Sequence, residues 1–262
     1  MDLRLTGKVA LVGGSSKGLG KASALALASE GARVTICART QASLDAAAGD
    51  IRRETGAEVL AVAADLTTAA GVQRVVAATV ERFGSVDVLV TNSGGPAPGR
   101  FADFRDDDWR QAFEVVTLSF VRFVREVVPY MRRSGWGRII GIQSTSVKQP
   151  VEGIDLSNGL RPGIAGLMKA VMPDLAKDGI TINLVLPGTF LTSRISPEAG
   201  RSLEGNLELQ AQLAPLAAAI PVGRLGYPTE LGSLVAYLAS QQAAYITGAV
   251  YQVDGGATKS NV

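Results

Sequence analysis

At 262 residues and 47% hydrophobic side chains, the chain is long enough to bury a sizeable core as one α/β unit. Its 26 Lys and Arg against 24 Asp and Glu leave a net charge of +2 with no long basic run, so neither nucleic acid nor an anionic membrane surface is an expected partner. Histidine is absent, which excludes imidazole bases, His-based triads and the usual zinc sites. No metal is expected.

Val9 to Val12 are aliphatic or small and end at glycine, which predicts a buried strand. Gly13, Gly14, Gly18 and Gly20 follow as a turn, and residues 19–30 (LGKASALALASE) are helix formers. Strand, glycine turn and helix in that order aim free N–H groups and a positive helix end at one point. That suits a phosphate better than a plain tight βα turn. Residues 33–38 read as a second strand, with the one cysteine, Cys37, as a small core residue. Residues 41–54 read as a helix, 58–63 as a strand, 68–83 as a helix and 86–91 as a strand. A long helix over 107–133 is entered through the acidic run DDD, which suits a helix N-terminus. Strands over 138–143 and 181–186 flank a helical stretch at 163–177, which Pro173 is expected to kink. Residues 250–253 close the sheet.

Apolar strands alternating with helices predict an α/β fold: a doubly wound, parallel, Rossmann-type sheet in a single domain over 1–262. Ligands in such sheets bind at the carboxyl ends of the strands. No long apolar stretch precedes the first strand and no run reaches transmembrane length, so a cytoplasmic location without membrane contact is expected.

The glycine spacing, G-x-x-x-G-x-G at Gly13, Gly18 and Gly20, resembles the coenzyme loop of the short-chain dehydrogenase/reductase family. The resemblance covers nearly the whole chain and leans toward 3-oxoacyl-ACP-reductase-like members. TNSGG (91–95), GITINLVLPGTFLT (179–192), PVGRLGYPTELGSLVAYLAS and ITGAVYQVDGG are similar to its later motifs, in its order. It implies a nicotinamide cofactor on Gly13, Ser15, Ser16, Lys17, Gly18, Leu19 and Gly20, with Asp65 and Leu66 at the adenine. Asn92 and Gly94 would line the floor, and Pro187, Gly188 and Thr192 the nicotinamide end. NAD-preferring relatives place a carboxylate at the end of the second strand. Here Ala38 stands there and Arg39 follows, while Lys17 sits inside the glycine loop. Both basic positions resemble the pair that neutralises a 2′-phosphate, so the cofactor implied is NADP(H). The family also implies a homotetramer paired through its long helices, and a substrate lid at about 189–221. That lid is mostly apolar, which points to an apolar carbonyl or alcohol substrate, although its Arg194 and Arg201 also admit an acidic group.

The catalytic set departs from the family. Ser144 aligns with the family's serine, with Thr145 and Ser146 as local alternatives. Counting back from the sixth-strand motif puts Ser157 at the tyrosine position, Arg161 at the lysine position and Thr117 at the asparagine position. An aliphatic hydroxyl is far less acidic than a phenol, and an arginine cannot relay a proton, though it can hold ribose hydroxyls or stabilise an oxyanion. Pro162 disfavours helical backbone at Arg161, so the sequence leaves open where that side chain points. Three readings follow. The first is an NADP(H)-dependent oxidoreductase whose proton comes from an atypical donor, such as water held by Ser144 and Ser157. The second is a cofactor-binding protein without redox activity. The third is non-redox chemistry of the halohydrin-cleaving type. Those relatives also carry Arg at the lysine position but keep the tyrosine and lose the glycine loop, so this reading ranks last.

Overall fold

The computed structural model describes residues 1–196 and 206–261. Seven parallel strands form one sheet in the order β3-β2-β1-β4-β5-β6-β7. They are β1 (Val9–Val12), β2 (Arg33–Ala38), β3 (Val59–Ala63), β4 (Val88–Thr91), β5 (Gly137–Ile142), β6 (Ile180–Pro187) and β7 (Val250–Val253). The helices are α1 (Gly18–Ser29), α2 (Gln41–Thr55), α3 (Ala69–Phe83), α4 (Asp106–Phe113), α5 (Ser119–Ser134), α6 (Asp155–Lys177), α7 (Leu207–Ala218) and α8 (Pro228–Ala239). No described helix is long and apolar enough to cross a membrane.

Alternate strand residues feed two cores. Ala10 and Val12 of β1 face a layer with α1, α2 and α8 through Leu27, Leu44, Ile51, Leu231 and Val235. Leu11 faces the other layer, with α3, α5 and α6 through Val75, Phe120, Phe123, Val127, Ile164 and Met168. β1, β4 and β5 have both faces covered and are buried at every position, which favours apolar and small residues there; Thr91 and Arg138 are the polar exceptions. The chain moves outward from β1 in opposite directions through β2 and β4, so a crevice opens above the carboxyl ends of β1 and β4.

Two helices differ from expectation. The helix expected over 107–133 is broken by a π turn at Glu114–Leu118 between α4 and α5. The Val115 carbonyl accepts from both Ser93 Oγ and Ser119 Oγ, each at 2.6 Å, and these hydroxyls compete with the α-helical ladder at that point. The helix expected over 163–177 instead starts at Asp155 and runs on through both Pro162 and Pro173. Proline at 162 deletes the amide that would bond Asn158 O. The helix nevertheless continues through it, and the Arg161 side chain is fixed from three directions, as described next.

Candidate active site

The glycine turn is shaped by close backbone approach. Gly14 has φ +54°, and a Cβ there would lie 2.3 Å from Asn92 O. A Cβ on Gly20 would lie 2.4 Å from Gly14 O. Asn92 Nδ2 donates to Gly14 O at 3.1 Å, so this side chain ties the end of β4 to the turn. Gly13 N donates to Val90 O at 2.9 Å. Lys17, the residue before α1, is extended and no side chain caps the helix, so the first amides of α1 stay available to a ligand. Gly18 and Leu19 open that helix, and Thr192 leans on it, its Cγ2 placed 3.5 Å from where a Gly18 Cβ would be.

Ser15 is a correction to the expected cofactor set. It is fully buried, its Oγ donates to Val12 O at 2.6 Å and accepts from Cys37 N at 2.9 Å, and its own N–H donates to Cys37 O at 3.1 Å. Both polar groups are spent joining β1 to β2, so neither is left for a phosphate. Cys37 beside it is equally buried, and burial pushes its thiol up to about 12, leaving it an inert core residue.

A cleft of about 670 Å³ runs from this turn along the strand ends, lined by Ser16, Lys17, Arg39, Asp65, Leu66, Asn92 and Gly94 among others. Lys17 and Arg39 are exposed on its rim, and neither forms an ion pair among the described residues. Asp65 accepts from the Thr67 amide at 3.0 Å and the Thr67 hydroxyl at 2.8 Å. These bonds, and more weakly the Arg39 charge, hold its carboxyl below the usual range. Pro187 ends β6, and Gly188 N donates to Val253 O at 2.9 Å; neither residue lines this cleft.

Behind Gly94, which lines the cleft, Arg161 organises a buried polar network. Its Nε donates to Ser157 Oγ at 3.0 Å, Nη1 to Gln143 Oε1 at 2.8 Å and Nη2 to Gly94 O at 2.9 Å. Ser157 Oγ lies 3.0 Å from Ser146 Oγ, and either hydroxyl can donate. Ser157 is 4% exposed and Arg161 6% exposed. Burial first, then the nearby Arg194 charge, push the Arg161 guanidinium down to about 10, still protonated at neutral pH. Arg161 therefore points toward Gly94 on the cleft wall despite Pro162.

Ser144 stands slightly apart. Its Oγ accepts from Ser146 N at 3.2 Å as the cap of the 3₁₀ turn Thr145–Val147, so Ser146 is the serine joined to Ser157. Thr117 sits on the π turn, which packs against α6, but its side chain makes none of the bonds in the Arg161 network. Gln143 was not singled out from sequence. The available signal was its position, an amide at the carboxyl end of a central strand and next to Ser144. Of the lid expected at 189–221, residues 189–196 and 206–221 are described, and Arg201 lies outside the described residues. Leu191, Leu209, Leu213, Ile220 and Leu225 form a small separate core beneath it.

A parallel sheet of this order, with a glycine turn at the switch point and a cleft above it, defines a Rossmann-type nucleotide-binding protein. The family described as enoyl-(acyl carrier protein) reductase matches residues 14–258. A 3-oxoacyl-[acyl-carrier-protein] reductase of Synechocystis is 33% identical over 96% of this chain and 97% of that protein. A dehydrogenase/reductase SDR family member 4 of Caenorhabditis elegans is 32% identical over 97% and 96%. Among solved structures, L-sorbose reductase of Gluconobacter frateurii, complexed with NADPH and L-sorbose, superposes with a TM-score of 0.92 at 33% identity, covering 99% of this chain and 100% of that one. The chain belongs to the short-chain dehydrogenase/reductase family.

Proposed function

We propose that this protein is a cytoplasmic NADP(H)-dependent oxidoreductase that moves hydride between the nicotinamide and a small carbonyl or alcohol substrate, with an atypical proton donor. The observation that carries this reading is a cleft that has uncapped α1 amides and two cations unpaired among the described residues, Lys17 and Arg39, at one end, and that is backed at Gly94 by the Arg161–Ser157–Ser146 network. The NADPH-bound reductases of the same fold support it. Lys17 and Arg39 would hold the 2′-phosphate, Asp65 and Leu66 the adenine end, Asn92 and Gly94 the floor, and Thr192 the nicotinamide end. The cofactor supplies the hydride. Arg161 offers fixed positive charge beside the developing oxyanion, and Ser157 with Ser146 positions the substrate oxygen or a water that supplies the proton.

The test is oxidation of NADPH against a panel of ketones, aldehydes and quinones. Turnover of any of them above the buffer rate supports the reductase. Tight NADPH binding without turnover across the panel supports the alternative, a cofactor-binding protein without redox activity, which the loss of the phenol favours. Cofactor preference is checked separately by fluorescence titration. NADPH is expected to bind more than tenfold tighter than NADH, about 1.4 kcal/mol, and Arg39→Asp to erase the difference. Equal affinities in the parent protein would refute the 2′-phosphate assignment.

Residues 189–221 serve in this reading as the substrate lid. A homotetramer is the assembly we propose, paired through α5 and α6. Between these helices lies a groove of about 530 Å³ lined by Val121, Val124, Val128, Leu167 and Val171. Apolar side chains in an open groove favour association through a two-fold axis. Light scattering at micromolar concentration is expected to give a multiple of the 27.2 kDa chain mass, and a monomer would contradict it.

A further inference from the structure

Two arginines converge on one short piece of backbone. Arg161 Nη2 donates to Gly94 O at 2.9 Å. The Arg194 guanidinium lies against the next residue, where a Cβ on Gly95 would come 2.8 Å from Nη1 and 2.9 Å from Nη2. Glycine at 95 is what leaves room for it. Among the described residues neither arginine forms an ion pair. Like charges this close oppose each other, and Arg194 is, after burial, what depresses the Arg161 guanidinium. A buried cation without a counter-charge is costly, and an anion between the two would relieve both terms.

The donor inventory fits an anion. A guanidinium carries five N–H groups, and Arg161 spends three of them on Ser157, Gln143 and Gly94, which leaves one on each terminal nitrogen. The Arg194 side chain makes no hydrogen bond among the described residues, while its backbone N–H donates to Thr192 Oγ1 at 3.4 Å. Two planar forks with free N–H groups match the paired oxygens of a carboxylate. Because Arg161 Nε is itself bonded to Ser157, the anion would sit within the span of one guanidinium from the Ser157–Ser146 hydroxyls.

We propose that Arg161 and Arg194 form a carboxylate-binding subsite and that the substrate is an oxo acid, its carboxylate one or two carbons from the reacting carbonyl. The oxo-acid identity rests on the reductase reading, whereas the subsite does not. The test is calorimetric titration of the NADP⁺-saturated protein, in which an oxo acid cannot be reduced, with 2-oxobutyrate and with its methyl ester. The acid is expected to bind at least tenfold tighter than the ester. Arg194→Gln should remove that margin without changing affinity for the ester or for NADP⁺, and Arg194→Lys should keep most of it. Equal binding of acid and ester, or binding of neither, overturns the proposal. So does an Arg194→Gln variant that loses NADP⁺ affinity but keeps the preference for the acid, since the pair would then serve the cofactor's phosphates. If NADP⁺ itself does not bind, the reductase reading fails and the same titration is made on the free protein. Acid binding lost in Arg194→Gln then supports the subsite, and no acid binding overturns it.

Discussion

Replacing Arg161 by methionine is expected to lower kcat/KM by about a hundredfold or more, roughly 2.7 kcal/mol of transition-state stabilisation. The substitution keeps much of the side-chain volume but removes the fixed charge and strands two buried acceptors, Ser157 Oγ and Gln143 Oε1, as well as the more open Gly94 O. Ser157→Ala is expected to cost only about tenfold, below the roughly hundredfold or more that losing a positioned proton donor costs, because Ser146 and water remain. Steady-state rates on the substrate found by the panel, with NADPH affinity measured in parallel, separate the two effects. Abolished turnover in Ser157→Ala with intact cofactor binding would show a direct role for that hydroxyl. Near-parental rates in both variants would place the chemistry elsewhere in the cleft.

Gly14→Ala should be a strongly damaging change in the cofactor half. Its φ of +54° penalises any side chain, and the new Cβ would meet Asn92 O at 2.3 Å, a backbone atom fixed at the end of β4. A loss of about 3 kcal/mol of stability is expected from strain and overpacking together, with NADPH affinity down by more than tenfold. Gly56→Ala is the control. It sits at φ +70° after α2 with nothing within 4 Å of the new Cβ, so strain acts alone. Thermal melting of both variants with an NADPH titration checks this, and a Gly14→Ala protein with parental melting and affinity would refute it.

The inner strands were legible because burial on both faces favours apolar runs, and β2, buried at its four central positions, falls at the residues expected; the edge strand β7 does too, though none of its positions is buried. The glycine turn was legible because steric demand at Gly14 and Gly20 shows directly as residue type. What sequence could not show depends on partners distant in the chain. Ser15 reads as a cofactor contact until its hydroxyl is spent on Val12 O and its N–H on the carbonyl of Cys37, 22 residues on. The π turn depends on Ser93 reaching the Val115 carbonyl from another loop. Pro162 argues from local sterics that Arg161 avoids helix, yet α6 continues through it, and Gln143 and Gly94 fix its side chain. Arg194 was visible only as one charge in a lid; its approach to Gly95 and Arg161 is a tertiary fact.

The bond from Arg161 Nε to Ser157 Oγ also constrains how such a site can change over generations. A tyrosine arriving alone at 157 would have to displace the guanidinium that now fills the space beside that buried serine. A lysine arriving alone at 161 would have one nitrogen where three donors are now satisfied. Each single change is therefore expected to break the shared hydrogen bond unless its partner position changes with it, so the two positions behave as one coupled unit.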